Sequence, residues 1–163
     1  MDIKFDSQQK EKLQKAITLF LARSNEEQLT TKGLNSKEID SIINSFLIQY
    51  GYIAKCSFGA GNKAKNPYIV FIRKDTPHIK ASCGVYARIC FHTENNQVEV
   101  SINTSYKTIF HFQAEQKVKN YNLQQKPKSY FNYPDYDIDA IISKLEQDLQ
   151  WFLQIPVSEL KSY

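Results

Sequence analysis

The chain has 163 residues, a net charge of +4, and hydrophobic and charged shares of 42% and 23%, which fits one globular domain with a real core and argues against wholesale disorder. No apolar stretch approaches a membrane span, and the start Met1-Asp2-Ile3-Lys4-Phe5-Asp6 lacks a signal-peptide pattern. Three cysteines without framework spacing fit reduced thiols, so a soluble, cytoplasmic protein without membrane contact is expected.

Residues 1–52 read as a helical lead. From about Ser7, the residues Leu13, Ala16, Ile17, Phe20 and Leu21 recur at helical spacing. From Ser36, a plausible N-cap, a second stripe of Ile39, Ile42, Ile43, Phe46, Leu47 and Tyr50 stops at Gly51. The period then changes to two. Strands are expected over 53–57, 68–73, 85–92 and 98–103, with a weaker one near 108–112, separated by turn signals. Residues 113–136 are polar and rich in Gln, Lys, Asn and Tyr, and read as a long basic loop. A closing helix spans 137–155, with Ile138, Ile141, Ile142, Leu145, Leu149 and Phe152 on one face and Asp135 or Asp137 placed for its cap. The expected fold is α+β: a curved, mainly antiparallel sheet or small open barrel (53–112) flanked by N-terminal helices and a C-terminal helix. Helices and sheet share one core in a single domain, 1–163.

Charge is unevenly spread. Positive and negative residues cancel over 1–52, whereas 53–92 carry Lys55, Lys63, Lys65, Arg73, Lys74, Lys80 and Arg88 against Asp75 alone. Lys117, Lys119, Lys126 and Lys128 add to this further on. Such a concentration suits a phosphate backbone, and equally a solvated lysine-rich surface. Of ten tyrosines, ten phenylalanines and one tryptophan, many are expected in the core, but ten tyrosines exceed what a core needs, and Tyr favours half-wet positions.

The 56–92 stretch combines these signals. Gly59 and Gly61 around Ala60 make a loop whose backbone can approach a ligand closely. A strand starts with Tyr68 after Pro67, and another carries Tyr86 near its start. Along that second strand Val85, Ala87, Ile89 and Phe91 share one face and read as core. Tyr86, Arg88, Cys90 and His92 share the other, which is either a binding wall or the solvent side of the sheet. An aromatic-walled pocket in a positive field suits a nucleobase better than a small acid or a metal. The candidate metal ligands, Cys56, Cys83, Cys90, His78, His92 and His111, lack zinc-site spacing apart from Cys90-Phe91-His92. No phosphate-binding glycine loop and no cluster of nuclease carboxylates can be read. No metal, no cofactor and no catalysis by this chain are expected.

The segments Ser57-Phe58-Gly59-Ala60-Gly61-Asn62, Pro67-Tyr68 and Gly84-Val85-Tyr86 resemble the N-terminal DNA-binding domain of McrB, the recognition component of the McrBC modified-cytosine restriction systems. The resemblance is most specific over 55–103 and extends more loosely to the leading helix and to Asp137-Ile138. It implies binding of duplex DNA by turning a methylated or otherwise 5-modified cytosine out of the helix. It places Tyr68, Tyr86 and Cys90 around the base, with residues 57–62 as the DNA-binding loop. Two departures stand out: Ala60 where the family has a loop aromatic, and Cys90 where it has a larger aliphatic residue. The second leaves room for a bulkier substituent such as hydroxymethyl. Lys55, Lys63, Lys65, Arg73, Lys74 and Arg88 are the candidate phosphate contacts. The expected partners are DNA carrying the modified base, a motor domain and an endonuclease subunit. The competing readings are a small nuclease or base-modifying enzyme using His92, Cys90 or His111, and a protein-interaction module.

Overall fold

The computed structural model describes residues 2–76, 80, 84–105 and 113–160. Helix α1 (Ser7–Ser24) opens on a capping box: the Asp6 carboxylate accepts from the Gln9 backbone N–H at 2.8 Å, and the Gln9 side chain accepts from the Asp6 N–H at 2.9 Å. Two donors that a helix start leaves open are thereby satisfied. Helix α2 (Ser36–Leu47) is capped by Asn35 in a left-handed conformation (φ 48°), whose side chain accepts from the Glu38 N–H. The cap is therefore one residue ahead of the expected Ser36. After a 3-10 turn over Ile48–Tyr50, Gly51 (φ 86°) turns the chain into the sheet, a conformation that costs glycine little.

Strands β1 (Tyr52–Ala60), β2 (Asn62–Arg73), β3 (Gly84–His92), β4 (Gln97–Ser105) and β5 (Tyr130–Asn132) pair in chain order, each antiparallel to its neighbour. The architecture is α+β, an open five-stranded antiparallel sheet with the N-terminal helices and the C-terminal helix α4 (Ile138–Leu153). The strands run longer than the sequence pattern suggests, because the β1–β2 hairpin continues to its tip at Gly61. The weak strand expected near 108–112 lies outside the described residues. The basic segment 113–136 is a correction: it forms helix α3 (Glu115–Gln125), a 3-10 turn over Lys126–Lys128, and β5. Only Val118 and Tyr121 of α3 are buried, too few to write a helical stripe into the sequence.

Most of the core lies on the helix-facing side of the sheet, although Val70, Ile72 and Tyr86 on the other side are buried too. Tyr52, Ala54, Ile69, Phe71, Ala87, Ile89, Phe91, Val98, Val100 and Ile102 are buried with α1, α2 and α4. The Tyr52 hydroxyl donates to the Leu149 carbonyl at 2.7 Å, tying β1 to α4. At the far end of that helix, Arg73 donates to the carbonyls of Phe152 (2.9 Å) and Ile155 (2.6 Å) and holds Asp75. Its guanidinium satisfies carbonyls that the helix terminus leaves open.

Side-chain amides close both edges of the sheet. On β1, Asn44 of α2 donates to the Ala54 carbonyl (2.9 Å) and accepts from its N–H (2.7 Å), while Asp40 accepts from the Cys56 N–H at 2.5 Å. Beyond the short β5, Asn122 of α3 pairs in the same way with Ile102 of β4. An amide side chain thus stands in for a missing strand at Ala54 and at Ile102 and satisfies their peptide groups. Asn44→Ala should cost about 1–2 kcal/mol, because it strands a donor and an acceptor that are only partly wet. Urea denaturation with an unchanged m-value is the measurement, and an unaltered midpoint would show that water replaces the amide fully.

Candidate nucleic-acid interface

Strand alternation sorts the residues of interest onto the outer face. Val85, Ala87, Ile89 and Phe91 are all fully buried toward the helices, so Tyr86, Arg88, Cys90 and His92 turn the opposite way. Tyr68 is the register partner of Cys90, and Val70 that of Arg88. Directly opposed residues share a face, so Tyr68, Cys90 and Tyr86 stand on one side of the sheet. Tyr86 is four positions along β3 from Cys90, about 13 Å at ~3.3 Å per residue. Between the tyrosines on this face lie Val70, Ile72 and Arg88.

A hollow of about 360 Å³ opens here, lined by Lys55, Cys56, Ser57, Tyr68, Val70, Ile72 and Lys80. Tyr68 is its half-buried aromatic wall, Val70 and Ile72 are apolar and buried, and Lys55 and Lys80 are exposed cations beside them. Tyr86 does not line this hollow. It is buried, and its hydroxyl accepts from the Asn103 amide at 2.8 Å. Cys90 is likewise buried, and burial pushes its thiol pKa up, so the sulfur stays protonated and unreactive.

The loop 57–62 is the tip of the β1–β2 hairpin, with a register shift between Ser57 and Gly59. A Cβ on Gly59 (φ 128°) would sit 2.2 Å from the Asn62 carbonyl oxygen, whereas nothing lies within 4 Å of one on Gly61 (φ 86°). Glycine at 59 thus serves the hairpin's own close approach, and only the Gly61 side is open. Phe58 points inward, buried and stacked on Phe20 at 5.7 Å. This corrects its placement among DNA-touching residues: it anchors the loop. The α1–α2 link, which the sequence reading left aside, braces the tip. The Thr31 N–H donates to the Gly61 carbonyl at 2.8 Å, the Lys63 N–H donates to the Leu29 carbonyl at 2.9 Å, and Thr30 bridges Asn62.

The expected phosphate contacts divide. Lys55, Lys65 and Lys74 are exposed, Lys65 lying 3.5 Å from Glu94 in a pair that water screens. Lys63 donates through Nζ to the Glu26 carbonyl, and partial desolvation lowers its pKa. Arg73 is a correction: it is 4% exposed and committed to the end of α4. Arg88, a quarter exposed, has its guanidinium 3.3 Å from both oxygens of Glu99, so its charge is largely balanced within the protein. Lys80, present in the charge count but not among the expected contacts, stands at the hollow instead.

Glu99 gathers a polar cluster on this face. Besides Arg88, His92 Nε2 is 2.7 Å from Oε1, and the Ser101 hydroxyl donates to Oε2 at 2.6 Å. Burial opposes ionisation of Glu99, but Arg88 and the hydrogen bonds from Ser101, His92 and Arg88 outweigh it and hold the carboxyl below its usual range. No group of three or more His, Cys, Asp or Glu side chains able to hold a metal occurs among the described residues. His78, Cys83 and His111 lie outside them. No described helix is long and apolar enough to cross a membrane. The chain matches no protein-family model and no curated protein.

The depressed carboxyl has a stability consequence of definite sign. Its contribution is complete above the ordinary glutamate value of 4.5 and disappears as pH falls through the lower folded-state value. Glu99→Gln should therefore destabilise the protein at pH 7 and flatten its loss of stability below about pH 4.5. Urea midpoints at pH 7 and about pH 3 test this, and parallel pH profiles for the two proteins would contradict it.

Proposed function

We propose that this chain is a DNA-recognition module that binds duplex DNA carrying a 5-modified cytosine, with the base turned out of the helix against Tyr68. The observation that carries the reading is the hollow of about 360 Å³: one aromatic wall, an apolar lining of Val70 and Ile72, and exposed Lys55 and Lys80 beside it. A flipped base loses stacking worth a few kcal/mol, and an aromatic wall returns part of that. Lysines at the rim supply the sequence-independent grip on phosphates. Cys90, directly across from Tyr68 in the register, is buried and does not line the hollow; on this reading its small side chain leaves the Tyr68 ring room to yield to a larger 5-substituent.

The resemblance to the McrB recognition domain supports the same reading and sets its context. The chain acts as the specificity element of a cytoplasmic restriction system. It needs no cofactor, and a motor domain and an endonuclease subunit supply GTP hydrolysis and cleavage. Tyr86 acts on this reading through its bond to Asn103, shaping β3 beside the base.

Titration of the chain with methylated, hydroxymethylated and unmodified duplexes at two salt concentrations tests the proposal. The expected result is preference for modified DNA, hydroxymethylcytosine bound at least as well as methylcytosine, and affinity that falls steeply with salt. Tyr68→Ala should reduce the preference about tenfold while salt-sensitive binding persists. Cys90→Leu should shift preference from hydroxymethyl toward methyl. Equal affinity for all three duplexes would refute the reading. DNA consumed in the presence of a divalent metal would replace it with a nuclease.

A further inference from the structure

A second hollow opens on the same sheet face, between α3 and strands β4 and β5. It measures about 450 Å³, and Glu99, Ser101, Lys119, Leu123, Lys126 and Tyr130 are among the residues lining it. Leu123 is 69% exposed and Tyr130 42%. Large apolar surfaces scattered singly need no explanation, but two facing one cleft form a patch that a ligand can cover.

Charge selects the kind of ligand. Glu99 is already matched by Arg88 and accepts from Ser101. Lys119, exposed, reaches the half-buried Glu115 at 3.5 Å in a long pair of little strength. Lys126 is exposed, and Lys128, exposed on the same 3-10 turn, adds to the positive side. A positive cleft with a half-exposed flat ring fits an anion that itself carries a flat ring. We infer that this cleft takes an unpaired nucleotide of a DNA strand, its base against Tyr130 and Leu123 and its phosphate at Lys126 and Lys119.

The sheet register gives the cleft its place relative to the first hollow. Ser57, Tyr68, Cys90, Glu99 and Tyr130 are successive register partners and form one row across all five strands. Tyr68 and Tyr130 are thus three strand spacings apart, about 14 Å at ~4.8 Å each. Nucleotides separated by ~3.4 Å when stacked, and by more when splayed, cover that distance in about two to four residues. The inference rests on the reading of the chain as a DNA-binding module and adds a second base contact beside the first.

The test uses the full chain and a fluorescently labelled single-stranded oligothymidylate, read by anisotropy. This probe holds no cytosine, so its outcome is independent of the methyl preference measured on duplexes. Binding should weaken about tenfold in Tyr130→Ala, stay within about twofold in Tyr130→Phe, and lose part of its salt dependence in Lys126→Gln. Thymidine monophosphate should compete only at far higher concentration than the oligomer. Circular dichroism of each variant guards against misfolding. Wild-type affinity in Tyr130→Ala, no binding of the oligomer by the unsubstituted chain, or equal competition by the mononucleotide would each overturn the inference.

Discussion

The pairing of Tyr68 with Cys90 is the constraint on which the two hollows and the core jointly depend. Side chains alternate with a period of two, so a one-residue slip of β2 against β3 would turn Tyr68 and Val70 into the core and expose Ile69 and Phe71. Core packing opposes that slip, and the hairpin sets the separate register of β1 against β2. Ile69 and Phe71 are fully buried under the helices, and their exposure would cost about 1.5–3 kcal/mol each. At the hairpin, Gly59 packs so tightly against Asn62 and Ala64 that only glycine fits, which ties the turn to one register. Phe58 stacked on Phe20 fixes the same strand to α1. The placement of the outer-face tyrosines is therefore a by-product of core packing.

Edge closure has a similar double effect. Asn44 and Asp40 hold α2 along β1, and Asn122 holds α3 along β4. These bonds satisfy peptide groups that would otherwise invite strand addition. They also set the walls of the outer face: α3 stands beside β4 because Asn122 is paired there, and the second cleft is the space this leaves. Behind it, Tyr121 stacks on Trp151 at 4.0 Å and donates to Asp148, which meets the Lys144 ammonium at 2.5 Å. Burial pushes Lys144 down and Asp148 up in pKa; both lie on α4, so α3 meets that helix through Tyr121, which satisfies a carboxyl that burial would otherwise leave costly.

Most of the fold could be read from periodicity, since α1, α2, α4 and four strands bury clean stripes or alternate faces. The outer face could be read for the same reason: once 85, 87, 89 and 91 are core, 86, 88 and 90 must oppose them. Three things could not. Helix α3 buries only Val118 and Tyr121, and its place depends on partners distant in sequence: Ile102 for Asn122, Trp151 and Asp148 for Tyr121. Strand β5 has three residues, below any useful pattern. The roles of Arg73, Arg88 and Phe58 depend on partners distant in sequence: Phe152 and Ile155 for the first, Glu99 and Phe20 for the others. A count of charges along the chain treats all cations alike, whereas folding commits Arg73, Arg88 and Lys144 to internal partners and leaves Lys55, Lys65 and Lys74 exposed.

That division reshapes the electrostatics of the outer face. With Arg88 matched by Glu99 and Arg73 buried, the middle of the row from Ser57 to Tyr130 is close to neutral, occupied by the Cys90 thiol and a compensated carboxylate. Exposed positive charge stands at its two ends, Lys55 and Lys80 beside Tyr68, and Lys119 and Lys126 beside Tyr130. At physiological ionic strength screening acts over about 8 Å, so two cationic sites roughly 14 Å apart act nearly independently. On the proposed reading, each grips its own phosphate next to its own ring. A uniformly basic face would hold any duplex equally along its length. Among the described residues, charge placed beside the two aromatics would favour, on the proposed reading, a strand whose bases have left the stack at those two points.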